Sequence, residues 1–479
     1  HRLYAHADAI RLFDQALESA RRAALPPREL ALIFRGRGEV HQLQGAYQAA
    51  LADFEQGLTA ARDALDPGLE ALLENRVGFV HHRELRLDEA EVHFRRAADL
   101  ARQAGDRQTL GLSLVDLANI AWDRGMIGPA DPMLNEGIAL LRQERDTSGV
   151  ARGLNMLCMT HFAAGNANEA IAAAQEGLAA ARQAGDKSKE ATSLSYLSVV
   201  YVFAGQYEEG LRYGREALAL AQSIGDRRRQ VFAVSFVAPA LIAIGEWGDG
   251  IRLVEEVVPV LQEYAKIHLP FALMYLGTVA YEMGDDERAR PFLAEAEKVE
   301  TPPNPGWQQT VLIAKIYRAR IDRDLTALNQ ALDDVLAVPW DFFIPDDGEA
   351  ILPVGEALAE ASRVEDLRRF AAARRPGVEK WGAPPHQAAL AILEARLAVH
   401  DGNPDDAVTR LDQAIGFAGA CGNVPLDLRA REARYRLLHQ SEDRDALRVL
   451  LRRVADSLPD DLRARFLTSP RTAILREPS

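Results

Sequence analysis

Apolar residues recur three and four apart along most of this chain, and the stripes they form are interrupted at regular intervals by glycine and polar residues. In 186–225, one stripe within Glu190 to Ala204 carries Leu194, Leu197, Val200 and Tyr201. A Gly-Gln-Tyr turn at 205–207 follows, and a second stripe runs to Ile224. That spacing predicts two amphipathic helices folded back on each other as a hairpin. The hairpin then repeats. One column of small residues reads Gly38, Gly78, Ala118, Cys158, Ser198, Ala238 and, one residue early, Gly277. A second reads Ala50, Ala90, Ala130, Ala170, Gly210, Gly250, Ala289, and a third Gly57, Ala97, Gly137, Gly177, Ala217, Val257, Ala296. The common step is 40 residues. A fixed period of this size marks a solenoid, in which each unit buries its apolar face against its neighbours.

The columns also supply helix ends. Gly45, Gly125, Gly165, Gly205, Gly245 and Gly284 recur where a first helix stops and a residue accepting positive φ is needed. Asp66, Asp106, Asp146, Asp186 and Asp226 fall between units, where a carboxylate predicts the N-cap of the next helix. Small residues stand in columns because two helices of a hairpin, and neighbouring hairpins, approach closely there.

Small residues at relative positions 8, 20 and 27, with Phe54 and Phe94 at position 24, resemble tetratricopeptide repeats (TPR). The step of 40 residues exceeds the common spacing of about 34. The A-R-Q-A-G-D tracts at 101–106 and 181–186 are similar to the long-repeat variety found in C-terminal sensor regions of bacterial STAND-type signalling ATPases, including MalT-like regulators and cyclase-linked ATPases. The resemblance implies an all-α, right-handed superhelical solenoid of about eleven TPR-like hairpins. Residues 1–27 read as a half repeat, because Ala9, Phe13 and Ala16 match second-helix columns; its partner helix is expected upstream of His1. Residues 28–300 read as seven regular repeats, 301–457 as four divergent hairpins and 458–479 as a C-terminal cap.

The break near 300 is the tract Thr301-Pro-Pro-Asn-Pro-Gly-Trp, which stops the strict period. Beyond it hairpins are expected at roughly 308–337, 347–374, 385–418 and 425–457, with loops at 338–345 and Pro376 to Pro385 between them. Trp340, Phe342 and Phe343 in the first loop read as plugs between irregular hairpins.

Fifty-six Lys and Arg against 70 Asp and Glu leave a net charge of −14, which argues against a general nucleic-acid or membrane surface. Arg227-Arg228-Arg229 and Arg374-Arg375 are local basic runs expected beside solvated loops. The two cysteines, Cys158 and Cys421, lie in different repeats and imply no disulfide framework; with no signal-peptide pattern and no membrane-length apolar run, a cytoplasmic location is expected.

No phosphate-binding loop, HExxH, GxSxG or strand-borne GxGxxG is present, so neither catalysis nor a cofactor is expected. His81-His82-Arg83-Glu84 with His93 is the best metal-like cluster. However, His81 shares its column with His41, His161 and Tyr201, which makes it a packing residue of the repeat.

In the family resembled, first helices line the inner, concave groove. Carried over, its positions give Asn75, Asn155 and Ser195 in one column and Phe79, Asn119 and Met159 in another. His82, Arg83, Trp122, Phe162 and Phe203 follow at the end of the same helices. Asn75, Asn119 and Asn155 are expected to grip a peptide backbone, Phe79, Trp122 and Phe162 to form apolar pockets, and Arg83 to meet a carboxylate. The expected occupant is a protein, a peptide or a small-molecule inducer, with an upstream ATPase or effector domain of the same chain as a further partner. A constitutive adaptor or assembly scaffold is the alternative.

Overall fold

A computed structural model describes residues 2–126, 128–264, 268–301, 305–338 and 347–476, which form two compact units, 1–157 and 158–479. The Trp340, Phe342 and Phe343 segment lies outside the described residues. Among the described residues every regular element is a helix, and no helix is long and apolar enough to cross a membrane.

In the first unit, α1 (Arg2–Ala23) precedes three hairpins: α2 (Pro27–Leu43) with α3 (Tyr47–Asp63), α4 (Pro67–Arg83) with α5 (Leu87–Ala104), and α6 (Arg107–Asp123) with α7 (Ala130–Gln143). The boundary between units falls within α8 (Thr147–Ala163). The second unit continues through α9 (Ala167–Gln183), α10 (Lys187–Phe203), α11 (Tyr207–Ser223), α12 (Arg227–Ala243), α13 (Trp247–Tyr264), α14 (Leu269–Glu282) and α15 (Asp286–Ala296). Less regular hairpins follow: α16 (Pro305–Asp322) with α17 (Leu325–Ala337), α18 (Asp347–Glu360) with α19 (Val364–Trp381), α20 (Pro384–His400) with α21 (Pro404–Cys421), and α22 (Val424–Leu438) with α23 (Ser441–Ser457). Two short helices, α24 (Asp460–Thr468) and α25 (Ala473–Arg476), end the description.

Local chemistry sets these ends. The carboxylates of Asp66, Asp106, Asp146, Asp186 and Asp226 each accept the backbone N–H three residues on, at 2.8–3.1 Å. Each thereby satisfies one of the amides a helix start leaves unpaired. Leu85 occupies the column otherwise held by the turn glycines and adopts φ +60°, a strained conformation for a residue with a Cβ.

Close approach of the two helices governs packing within each hairpin. A Cβ added at Gly38 would lie 2.5 Å from Phe54, at Gly78 2.8 Å from Phe94, and at Gly277 2.5 Å from Leu293. In 187–223 the sizes are exchanged: Ser198 takes the first position, and a Cβ added at Gly214 would meet its hydroxyl at 2.8 Å. The two positions stand sixteen apart in all four hairpins, and in 187–223 the added Cβ would also meet Val237 of the next first helix at 2.5 Å.

Two expectations need correction. Pro376 to Trp381 form no loop but complete α19, which ends at Gly382 in the left-handed conformation. Arg374 and Arg375 accordingly lie mid-helix: Arg374 is 3% exposed, and Arg375 pairs with Glu394 at 2.6 Å. The Pro-Gly signals were misread because Pro376 is tolerated inside a helix that packs on its neighbours.

Gly78→Ala is expected to lower stability by about 1–3 kcal/mol by overpacking, and Phe94→Leu in the same chain to restore most of it, read as urea midpoints. Leu85→Gly, at a half-exposed turn, is expected to raise stability by about 1 kcal/mol through relief of positive φ.

Candidate functional site

Successive first helices stack, so their side chains divide between the seam that joins them and the wall they share. In the first unit, Asn75 falls in the seam. It is 1% exposed, and its amide donates to the Asp116 carboxylate at 2.9 Å and to the Ser113 hydroxyl at 3.2 Å. Asp116, itself buried, is also gripped by Arg152, so α4, α6 and α8 are linked by one polar network. Asn155 is likewise buried. These two asparagines therefore lie within the helix stack. Asn119 is half-buried and donates to the Val115 carbonyl of its own helix at 3.1 Å. Phe79 is half-buried over Leu87, Phe94 and Ile120, with the Arg152 guanidinium 5.7 Å from its ring centre. Arg83 and Trp122 are half-buried, and His82 Nε2 stands 2.5 Å from the Asp123 carboxylate.

His81 and His93 stack at 5.1 Å, and His93 Nδ1 lies 2.6 Å from the buried Glu74 carboxylate. Burial holds His81 below the usual histidine range. Among the described residues no group of three or more His, Cys, Asp or Glu is arranged to hold a metal.

In the second unit the predicted wall is covered by the chain itself. Ser195 is buried and donates to the Ala191 carbonyl at 2.9 Å, while Met159 is half-buried. Phe162, 1% exposed, meets Phe203 and Trp381 edge-on, each at 5.6 Å, and Trp381 Nε1 donates to the Phe203 carbonyl at 3.2 Å. Three successive inter-helix turns meet later helices in the same way. At Gly205, an added Cβ would stand 2.8 Å from Pro385. Next to that turn, Asn423 donates to the Tyr207 hydroxyl at 2.7 Å. At the next turn, Trp247 N–H donates to the Ser457 hydroxyl at 3.0 Å, and its indole packs on Phe466. Beyond the third, Arg465 pairs with Asp285 at 3.0 Å.

This closure leaves a cavity of ≈ 240 Å³ lined by residues of α10, α12, α14, α16, α18, α20 and α22. Its walls are largely apolar and aromatic, with Trp247, Phe271, Met274, Tyr275 and Ile313 among them. Buried polar residues also line it, among them Gln309, 4% exposed, Tyr317, 3% exposed, and His386, 2% exposed. No hydrogen bond joins the Gln309 or Tyr317 side chain to another described residue, and the polar atoms of neither are sealed from solvent. At one end Arg429 joins Glu282 and, at 2.6 Å, Glu356. Glu356 also receives Arg396 at 2.9 Å and Arg320 at 3.6 Å. Burial pushes the Glu356 carboxyl up, but the charges of Arg429, Arg396 and Arg320 outweigh it and bring it to about 2.

Phe203 alone of the residues singled out from sequence lines this cavity. Gln309, Tyr317 and Arg429 were missed because the strict period ends near 300, so no column assigned inner positions beyond it. The signal within reach was the apolar spacing of Ile313 and Tyr317 around Gln309, once the hairpin at 305–337 was placed.

Residues 69–143 and 149–223 match the profile of the tetratricopeptide repeat, and these segments are repeats of that kind. Regulatory protein AfsR of Streptomyces griseus is 28% identical over 137 residues, 29% of this chain and 14% of that protein. Among solved structures, the complex of NprR with its cognate peptide NprX gives a TM-score of 0.48 at 13% identity, over 69% of this chain and 97% of the other. A Signal Transduction ATPase with Numerous Domains protein with a tetratricopeptide repeat sensor, from Pyrococcus horikoshii, gives 0.46 at 15% identity, over 76% and 55%.

Glu356→Gln leaves three arginines, Arg320 and Arg429 among them largely buried, without their shared charge and is expected to cost about 3 kcal/mol at neutral pH. The depressed folded value means that the wild-type contribution is complete above the ordinary carboxyl pKa of about 4 and is lost as pH falls toward about 2. Urea midpoints across that window should fall for the wild type and change less for the variant.

Proposed function

We propose that this chain is a non-catalytic recognition module, the sensor and autoinhibitory arm of a larger bacterial signal-transduction ATPase or regulator. The observation that carries this reading is the cavity: inner helices of successive hairpins converge on apolar walls that hold polar groups with no protein partner. Buried polar groups ordinarily find partners, and a site that keeps some in reserve suits a ligand. The partial likeness to a regulatory protein is in keeping with it. On this reading 28–300 forms the regular repeats, 301–457 the divergent hairpins that close over the ligand, and 458–479 a cap. A ligand acts by favouring one arrangement of the arm over another, which requires differential affinity for the two.

An adaptor reading rests on a separate observation. In the first unit Phe79, Arg83 and Trp122 are only half-buried, and Arg83 makes no ion pair among the described residues. A protein partner would take its place there.

Hydrogen exchange of the chain with the small-molecule fraction of a bacterial cytosol distinguishes the two. The sensor reading expects slowed exchange in α12, α14, α16 and α22, and no such change in a Thr278→Trp variant whose indole fills the cavity. Unchanged exchange, together with a protein retained by the wild type and lost by a folded Asn119→Ala/Trp122→Ala variant, overturns it in favour of the adaptor.

A further inference from the structure

We infer that the cavity in residues 202–429 takes a compact, electrically neutral ligand carrying an amide, with its apolar body against Phe271, Met274 and Tyr275 and its amide against Gln309. This rests on the recognition reading and adds the chemistry of what is recognised.

Charge comes first. Glu282 and Arg429 both line the cavity, but each already holds the other, and Arg429 holds Glu356 as well. Neither of these two charges is therefore spare, and His386, which also lines the cavity, packs edge-on to Trp381 at 6.4 Å. An anionic or cationic ligand would enter an apolar site with nothing to neutralise it, or would have to break a buried pair. Neutral ligands meet neither cost.

Hydrogen bonding comes second. The Gln309 amide offers a donor and an acceptor side by side, and the Tyr317 hydroxyl, on the same helix, offers one of each. Both residues are almost fully buried, their polar atoms still reach solvent, and no hydrogen bond joins either to another described residue. The group that answers a primary amide with both of its functions at once is another amide. Size comes third. At ≈ 240 Å³ the space lies below the roughly 300–1,000 Å³ typical of drug-sized ligands, so the occupant is small or is one residue of a longer molecule. The aromatic residues of the walls select a flat or branched apolar body.

Three probes of one shape and different charge test this: N-acetyl-L-phenylalaninamide (neutral), N-acetyl-L-phenylalanine (anion) and L-phenylalaninamide (cation). Binding is read by titration calorimetry and by protection of α14 and α16 in hydrogen exchange. The neutral amide is expected to bind at about millimolar strength, and each charged probe about tenfold or more weakly. Gln309→Met, nearly the same shape, is expected to weaken the neutral probe about tenfold without lowering the melting temperature. Tyr317→Phe provides a second folded variant with a smaller loss. The inference is overturned if the anion binds best, which would make Arg429 the anchor, or if Gln309→Met binds the neutral probe as the parent does. It is also overturned if no probe binds, which assigns the polar groups to water. In that last case a cytosolic fraction that still protects the inner helices leaves the recognition reading standing and removes only the amide.

Discussion

The structure depends on how closely the two helices of each hairpin can approach at a pair of positions sixteen residues apart. Gly78 under Phe94 and Gly277 under Leu293 both leave no room for a Cβ, which would lie 2.8 and 2.5 Å from the facing side chain. Interiors pack at crystal-like density, so one partner grows only when the other shrinks. With that contact satisfied, each hairpin has the same cross-section, and hairpins of equal cross-section stack with their first helices in register. The polar links between first helices follow from this register. Asn75, Asp116 and Arg152 meet because they stand on three successive first helices of nearly equal height.

A stack of this kind leaves every inter-helix turn on one edge, and in residues 158–479 that edge becomes a binding surface for the chain's own later hairpins. Gly205 and Gly248 admit Pro385 and the Ser457 backbone at distances no side chain would allow; a Cβ at Gly248 would lie 2.0 Å from that carbonyl oxygen. Trp247 and Trp381 seal the contact, each with its indole N–H satisfied by a backbone carbonyl. The apolar core then runs without a break from α12–α16 to α22–α24. Covering a wall in this way turns it into a cavity, and a cavity, unlike an open groove, makes strict demands on charge and hydrogen bonding.

The Glu356 cluster shows how those demands are met. Arg320, Arg396 and Arg429 are balanced by Glu356, Glu282 and Glu360, so α14, α16, α18, α20 and α22 are tied together at one end of the cavity. Recognition by such a site rests on shape and on a few hydrogen bonds, which suits a neutral occupant.

The hairpins, their caps and the repeat period were legible from residues alone, because each depends on chemistry within about forty positions: an aspartate three residues before an amide, a glycine at a turn, apolar residues three and four apart. The composition of the site was not. Asn75 and Asn119 look alike in sequence, yet one is spent inside the helix stack and the other stands at its margin, a difference set by a single step around the helix. Trp381 reaches Phe203 across 178 residues, and Asn423 reaches Tyr207 across 216. No periodic signal encodes separations of that length. They arise only when the folded array brings its later hairpins against its earlier turns, so the local pattern determined the repeats and the tertiary closure alone decided where the cavity lies.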